Sequence, residues 1–272
     1  MNNQSNAGDT LTVLGVGAHP DDIEFAMIGT MLRLQDAGAR IHMWTIGTGS
    51  GGTATLDRER IVRTRRQEAC DAAALAGAVM HPSITDDFYI FYDRPLLLKV
   101  SAVIREIKPD IILTHSLEDY MEDHQNTARL VVTGAFSRAS INHVTDPPQP
   151  IWDGDTAIYH AMPHGLRDNM RRRVPVEGYV DITPYMDKKR AMLACHRSQK
   201  EWLDQTQGMD AYLDDMARFA RMVGEQSQVF TSAEGWRRHS ALGFGPQSAD
   251  PLANALGKNY RIDPAYTEWL NQ

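Results

Sequence analysis

LTVLGVGAHPDDIE, residues 11–24, passes from an almost unbroken apolar run into small residues, an imidazole and two adjacent carboxylates. A short run of that kind is the pattern of a parallel strand buried on both faces. From Asp21 to Asp36 the apolar residues Ile23, Phe25, Ala26, Ile28, Met31, Leu32 and Leu34 recur at helical spacing, and Gly38 supplies the stop. Further strands are predicted from Ile41 to Ile46, Val79 to Ile84 and Asp110 to Thr114, with helices from Leu56 to Ala76 and Leu96 to Ile107. This alternation predicts an α/β, Rossmann-like doubly wound sheet, mainly parallel, with helices on both faces and a C-terminal elaboration. Helix resumes from Asp123 to Ala139, strands are expected at Thr156 to Ala161 and Tyr179 to Ile182, and helices at Pro184 to Trp202 and Met209 to Val223. Past Gln226, short apolar and aromatic pieces read as a tail wrapped over the domain.

A length of 272 residues gives a prior just under two at roughly 150 per domain, and a single large α/β domain also reaches it. The expectation is one domain over 1–272, with a core from about 11 to 200 and C-terminal helices and tail from 201 to 272. A net charge of −7 argues against nucleic acid or an anionic membrane held by bulk charge. Cys70 and Cys195 are the two cysteines, so a disulfide framework or a Cys-rich zinc site is excluded and a reducing cytoplasm is expected. The first ten residues lack the basic start and apolar run of a signal peptide, and no apolar stretch is long enough for a membrane span. The apolar C-terminal half makes a homo-oligomer an expectation.

Open parallel sheets bind ligands beyond the carboxyl ends of their strands, where the strand order reverses. In the common order 3-2-1-4-5, strands one and four flank that crevice. Ala18, His19, Pro20, Asp21, Asp22, Ile23 and Glu24 follow the first; His115, Ser116, Leu117, Glu118, Asp119, Tyr120, Met121, Glu122, Asp123 and His124 follow the fourth. Pro20 and the two Asp also fit a plain helix start, which leaves His19 unexplained. His19, Asp22 and His124 offer two imidazoles and one carboxylate, a ligand count that fits a catalytic zinc with room for a water and also suits Fe2+. A carboxylate on the metal is pinned as an anion, so its neighbour Asp21 is the one free to move a proton. Together these predict a metal-assisted hydrolase.

Residues 18–24 resemble the AHPDDxE signature of the PIG-L or LmbE-like de-N-acetylases. Arg65 with Glu68, the stretch from Lys108 to His115, Asp123 with His124, and the run from His196 to Gln199 support the resemblance in family order over about 11 to 200, with a looser echo from Ala233 to Trp236. The resemblance implies one Zn2+ on His19, Asp22 and His124, Asp21 as general base, and removal of an acetyl group from an N-acetylglucosamine-type sugar or glycoconjugate. It also implies substrate contacts from Arg65 and Asp87. One departure stands out: where many members carry a histidine just before the Pro-Asp-His stretch, this chain has Met121. Methionine cannot donate a proton. Tyr120 and His196 are the candidate catalytic replacements, and His160 and His164 the candidates on the substrate side.

Gly47, Gly49, Gly51 and Gly52 follow the second strand and lack the GxGxxG order of a nucleotide loop, so they read as a flexible rim. Two other classes of function stay open at this point. One is a dinucleotide-binding oxidoreductase on the same topology; the other is a non-catalytic sugar-binding relative in which Met121 marks decayed chemistry.

Overall fold

The computed structural model describes residues 10–199, 202 and 212–272. The alternating pattern produces β1 (Thr12–Gly17), α1 (Asp22–Ala26), α2 (Ile28–Asp36), β2 (Arg40–Thr45), α3 (Arg58–Ala76), β3 (Val79–Met80), α4 (Arg94–Ile107), β4 (Ile111–Thr114), α5 (Glu122–Phe136) and β5 (Ala157–Ala161). Beyond these lie β6 (Gly178–Asp181), α6 (Met186–Leu193), α7 (Tyr212–Ser227), β7 (Ala233–Arg238), α8 (Pro251–Leu256), β8 (Tyr260–Ile262) and α9 (Pro264–Leu270). The strands form one sheet in the order β3-β2-β1-β4-β5-β7-β6-β8. The first five run parallel, with the expected reversal of order between β1 and β4, and β7 and β8 run antiparallel to their neighbours.

Alternate strand positions face two cores, as a sheet covered on both sides requires. Val13, Ile41, Ile111, Tyr159 and Trp236 pack with apolar positions of α2, α3, α6, α7 and α8. Leu14, Val16, Ile112 and Ile158 pack against Leu96, Val100 and Ile104 of α4 and Leu130 and Val131 of α5. Among the described residues no helix is long and apolar enough to cross a membrane.

The structure departs from the sequence reading at several points. The strand predicted from Val79 to Ile84 stops at Met80; Pro82 has no N–H to give the ladder. The helix expected to run to Ala139 ends at Phe136 and gives way to a 3-10 turn over Ser137–Ala139. The start of the helix expected at Met209 lies outside the described residues. Most consequential, the segment past Gln226 is no wrapping tail: β7 inserts between β5 and β6 inside the sheet.

That insertion also explains why the helix predicted from Asp21 to Asp36 is two. The Gly29 and Thr30 amides, instead of bonding one turn back, donate to the Glu234 carboxylate of β7 at 2.9 and 2.7 Å. Trp236 Nε1 donates to Thr30 Oγ1 at 2.9 Å, and Lys189 Nζ of α6 meets Glu234 Oε1 at 2.5 Å. Lys189 and Glu234 are 1% and 5% exposed, so each charge depends on the other. Removing one partner of such a pair costs about 3–5 kcal/mol. Glu234→Ala is therefore expected to lower the unfolding free energy by about that amount in a denaturant titration; a loss below about 1 kcal/mol would show that the pair does not hold the helix start.

Candidate active site

The crevice beyond β1 and β4 is built by two turns. After Gly17 the chain reverses through residues 18–21, the Asp22 amide donating to the His19 carbonyl at 3.3 Å, and Asp21 adopts a left-handed φ of 107° before α1 begins. After Thr114 the chain loops out and returns at α5, whose first turn carries Asp123 and His124. The two turns place His19 Nδ1 3.6 Å from Asp22 Oδ2 and His124 Nε2 3.5 Å from Asp22 Oδ1. One ligand atom each from His19, Asp22 and His124 lies within 4.8 Å of the others. The far nitrogens of both imidazoles are held by carboxylates: His19 Nε2 on Asp123 Oδ2 at 2.9 Å and His124 Nδ1 on Asp119 Oδ1 at 3.1 Å. Outer carboxylates of this kind fix the tautomer and strengthen the inner nitrogen as a ligand.

The electrostatics favour a cation. Burial alone would lower both histidines, yet Asp123 and Asp22 lift His19 to about 10, and Asp22 and Asp119 lift His124 to about 9. Burial would raise Asp22, but His124 and His115 hold it well below the usual carboxylate range. The cluster thus gathers positive charge where two nitrogens and a carboxylate converge, and the residues fit a divalent metal ion.

Asp21 points into different company. Its Oδ2 accepts from the Tyr212 hydroxyl of α7 at 2.7 Å and lies 3.8 Å from Arg65 Nη2 of α3. Burial pushes its carboxyl up, Arg65 works against the rise and Asp22 adds to it. Arg65, 1% exposed, donates to the Pro20 carbonyl and to Gln199 Oε1, while Ser198 bonds Glu68 through its amide and hydroxyl at 2.9 and 2.6 Å. Gly49, at φ 79°, leaves the guanidinium its path: a Cβ there would lie 2.7 Å from Arg65 Nε.

Residues 14–135 match the family described as PIG-L, GlcNAc-PI de-N-acetylase. The chain is 25% identical over 203 residues to 4-oxalmesaconate hydratase of Pseudomonas putida, spanning 70% of this chain and 74% of the relative. It is 28% identical over 199 residues to a Bacillus cereus protein assigned as N-acetyl-α-D-glucosaminyl L-malate deacetylase 2, spanning 70% and 84%. Its fold is similar to that of N,N'-diacetylchitobiose deacetylase of Pyrococcus horikoshii, with a TM-score of 0.71 at 22% identity over 90% of this chain and 89% of the other. Of these similar proteins, two are named as deacetylases and one as a hydratase. The matched segment contains the ligand cluster and Asp21; Tyr212, His196 and Glu234 lie beyond it.

The other expected residues divide by position. Tyr120 stands at the cluster: its ring is half exposed and meets His124 edge-on at 5.6 Å, and burial and the Asp22, Asp119 and Asp21 charges keep its hydroxyl protonated. His196 is buried behind Asp21, its Nε2 3.2 Å from Glu24 Oε1, and does not face the crevice mouth. His164 lies further out, bonded to Asp215 at 2.7 Å. Two of the expected substrate contacts have partners within the protein. Arg65 is enclosed and engaged with Pro20, Gln199 and Asp21. The Asp87 oxygens accept from the Gly49 and Gly51 amides at 2.7 and 2.9 Å and tie down the glycine loop.

His115 is the residue whose part the sequence reading did not assign. Its ring stacks on His124 at 3.9 Å, and its Nε2 accepts from the Ala18 amide at 2.9 Å beside Asp22 Oδ2 at 3.1 Å. Its signal was an imidazole directly after a buried strand. Behind it, His160 Nδ1 donates to the His115 carbonyl at 2.8 Å, and burial lowers His160 to about 4. A group charged at pH 5 when unfolded but neutral when folded costs stability as pH falls. The His160 contribution is expected to be full above pH 6.5 and to be lost toward pH 4, by at most about 3 kcal/mol. Unfolding titrations at pH 7 and 4.5 check this: His160→Gln should flatten part of the decline, and an unchanged decline would reject it.

Proposed function

We propose that this chain is a zinc-dependent hydrolase that removes an acetyl group from the amide nitrogen of an N-acetylated amino sugar or its conjugate. The observation that carries the reading is the convergence of His19, Asp22 and His124, each imidazole backed by its own carboxylate, beside an Asp21 held by separate partners. When bound, zinc would lower the pKa of a water to about 7 and polarise the amide carbonyl. Asp21 takes the proton of the attacking water and returns it to the leaving amine. Tyr212 and Arg65 hold one Asp21 oxygen, which leaves the other for that transfer. The Tyr120 hydroxyl, protonated and exposed at the mouth, supplies the donor that Met121 cannot, toward the carbonyl oxygen as it gains charge.

The dinucleotide reading loses its support at the glycine loop, where the Asp87 carboxylate already occupies the amides a phosphate would need. A second reading comes from the hydratase relative: addition of water to an unsaturated acid would use the same metal and base. One experiment separates the two. The zinc-loaded chain is incubated with N-acetylated sugars and, separately, with unsaturated dicarboxylic acids. Equimolar acetate and primary amine, lost with chelator and restored by zinc, support the hydrolase. Loss of the unsaturated-acid absorbance without acetate release overturns it.

A further inference from the structure

Phe88 is an aromatic residue in left-handed backbone, φ 67°, and it is 69% exposed. A bulky side chain in that region is an outlier, and such outliers gather at ligand-binding positions. What imposes it is the site. The Phe88 amide donates to Asp123 Oδ2 at 2.8 Å, the same oxygen that bonds His19 Nε2. On its other side Asp87 is tied to the glycine loop, and the Phe88 ring lies directly over Gly51, where a Cβ would collide with it. The ring therefore stands over the glycine loop, its backbone tied through Asp123 to the His19 side of the cluster, and is left open to solvent. Tyr120, half exposed, occupies the matching place beside His124.

A flat ring at the rim meets two exposed aromatic faces, Phe88 tied through its amide to the Asp123 that backs His19 and Tyr120 set edge-on to His124.

We infer that Phe88 and Tyr120 are substrate contacts that flank an uncharged ring carried on the scissile amide nitrogen, either the C–H face of a pyranose or an aryl group. The inference rests on the hydrolytic reading for its kinetic arm alone. The test gives the zinc-loaded full chain N-acetylglucosamine, acetanilide, and the open-chain N-acetylethanolamine and N-acetylaspartate. At least one ring amide is expected to exceed both open-chain amides about ten-fold in kcat/KM, through KM, with the gap closing in Phe88→Ala and Tyr120→Leu. The favoured ring identifies the source. Equal turnover of ring and open-chain amides, or a ring preference that survives both variants, overturns the inference.

Phe88→Gly guards against a folding artefact, since glycine accepts φ 67° without strain. It is expected to melt no lower than the parent while losing the ring preference; a lower melting temperature with the preference intact marks Phe88 as a packing residue and overturns its assignment. If none of the amides is hydrolysed, saturation-transfer NMR decides. Transfer to ring protons that Phe88→Ala abolishes supports the inference while the hydrolase reading fails, and no transfer, or transfer that the variant leaves unchanged, ends the inference as well.

Discussion

Asp22→Ala is expected to lose metal retention and amide hydrolysis together. Both oxygens of Asp22 face the cluster, one toward His19 and His115 and the other toward His124. Its removal also leaves two imidazoles whose protonation the carboxylate governs. The loss of affinity should exceed the roughly 10- to 100-fold typical when an outer-shell partner is removed, the size expected for Asp119→Asn at the back of His124. Metal content by mass spectrometry after gel filtration, together with acetate release, checks both. A stoichiometric, active Asp22→Ala protein would eliminate the proposed ligand set.

Asp21→Asn is expected to do the opposite with metal: keep it, and lose turnover by about 10²- to 10⁴-fold, the usual worth of a positioned general base. The amide preserves shape and still accepts from Tyr212, so the turn at φ 107° should survive and the melting temperature should change little. KM should hold while kcat falls. Loss of metal in this variant would assign Asp21 to the ion, and undiminished kcat would remove it from the chemistry.

The first half of the sheet was legible because its signals are local. β1, β2 and β4 are short apolar runs, and the helices between them repeat at a helical period. The convergence of His19 and His124 was legible for a topological reason: both follow strands that flank the reversal of order, and that geometry brings distant residues together. What could not be read depends on partners far along the chain. The break at Met27 is set by Glu234, Asp21 is held by Tyr212, and nothing near Arg65 in sequence announces that its guanidinium ends on Pro20 and Gln199. The tie of Asp87 to the glycine loop was hidden because a carboxylate after a strand looks the same whether it awaits a ligand or binds its own loop. β7 was hidden for a related reason. AEGWRR does not alternate as a half-buried strand should, since its glutamate is interior and neutralised by Lys189.

The late entry of β7 bears on how the molecule is made. A ribosome delivers β5 and β6 well before the strand that belongs between them, and until Ala233–Arg238 emerges β5 presents a bare row of amides and carbonyls that invites pairing with other chains. Tyr212 reaches Asp21 in the same late stretch. The nascent polypeptide can therefore gather His19, Asp22 and His124 before the hydroxyl that holds Asp21 has been made.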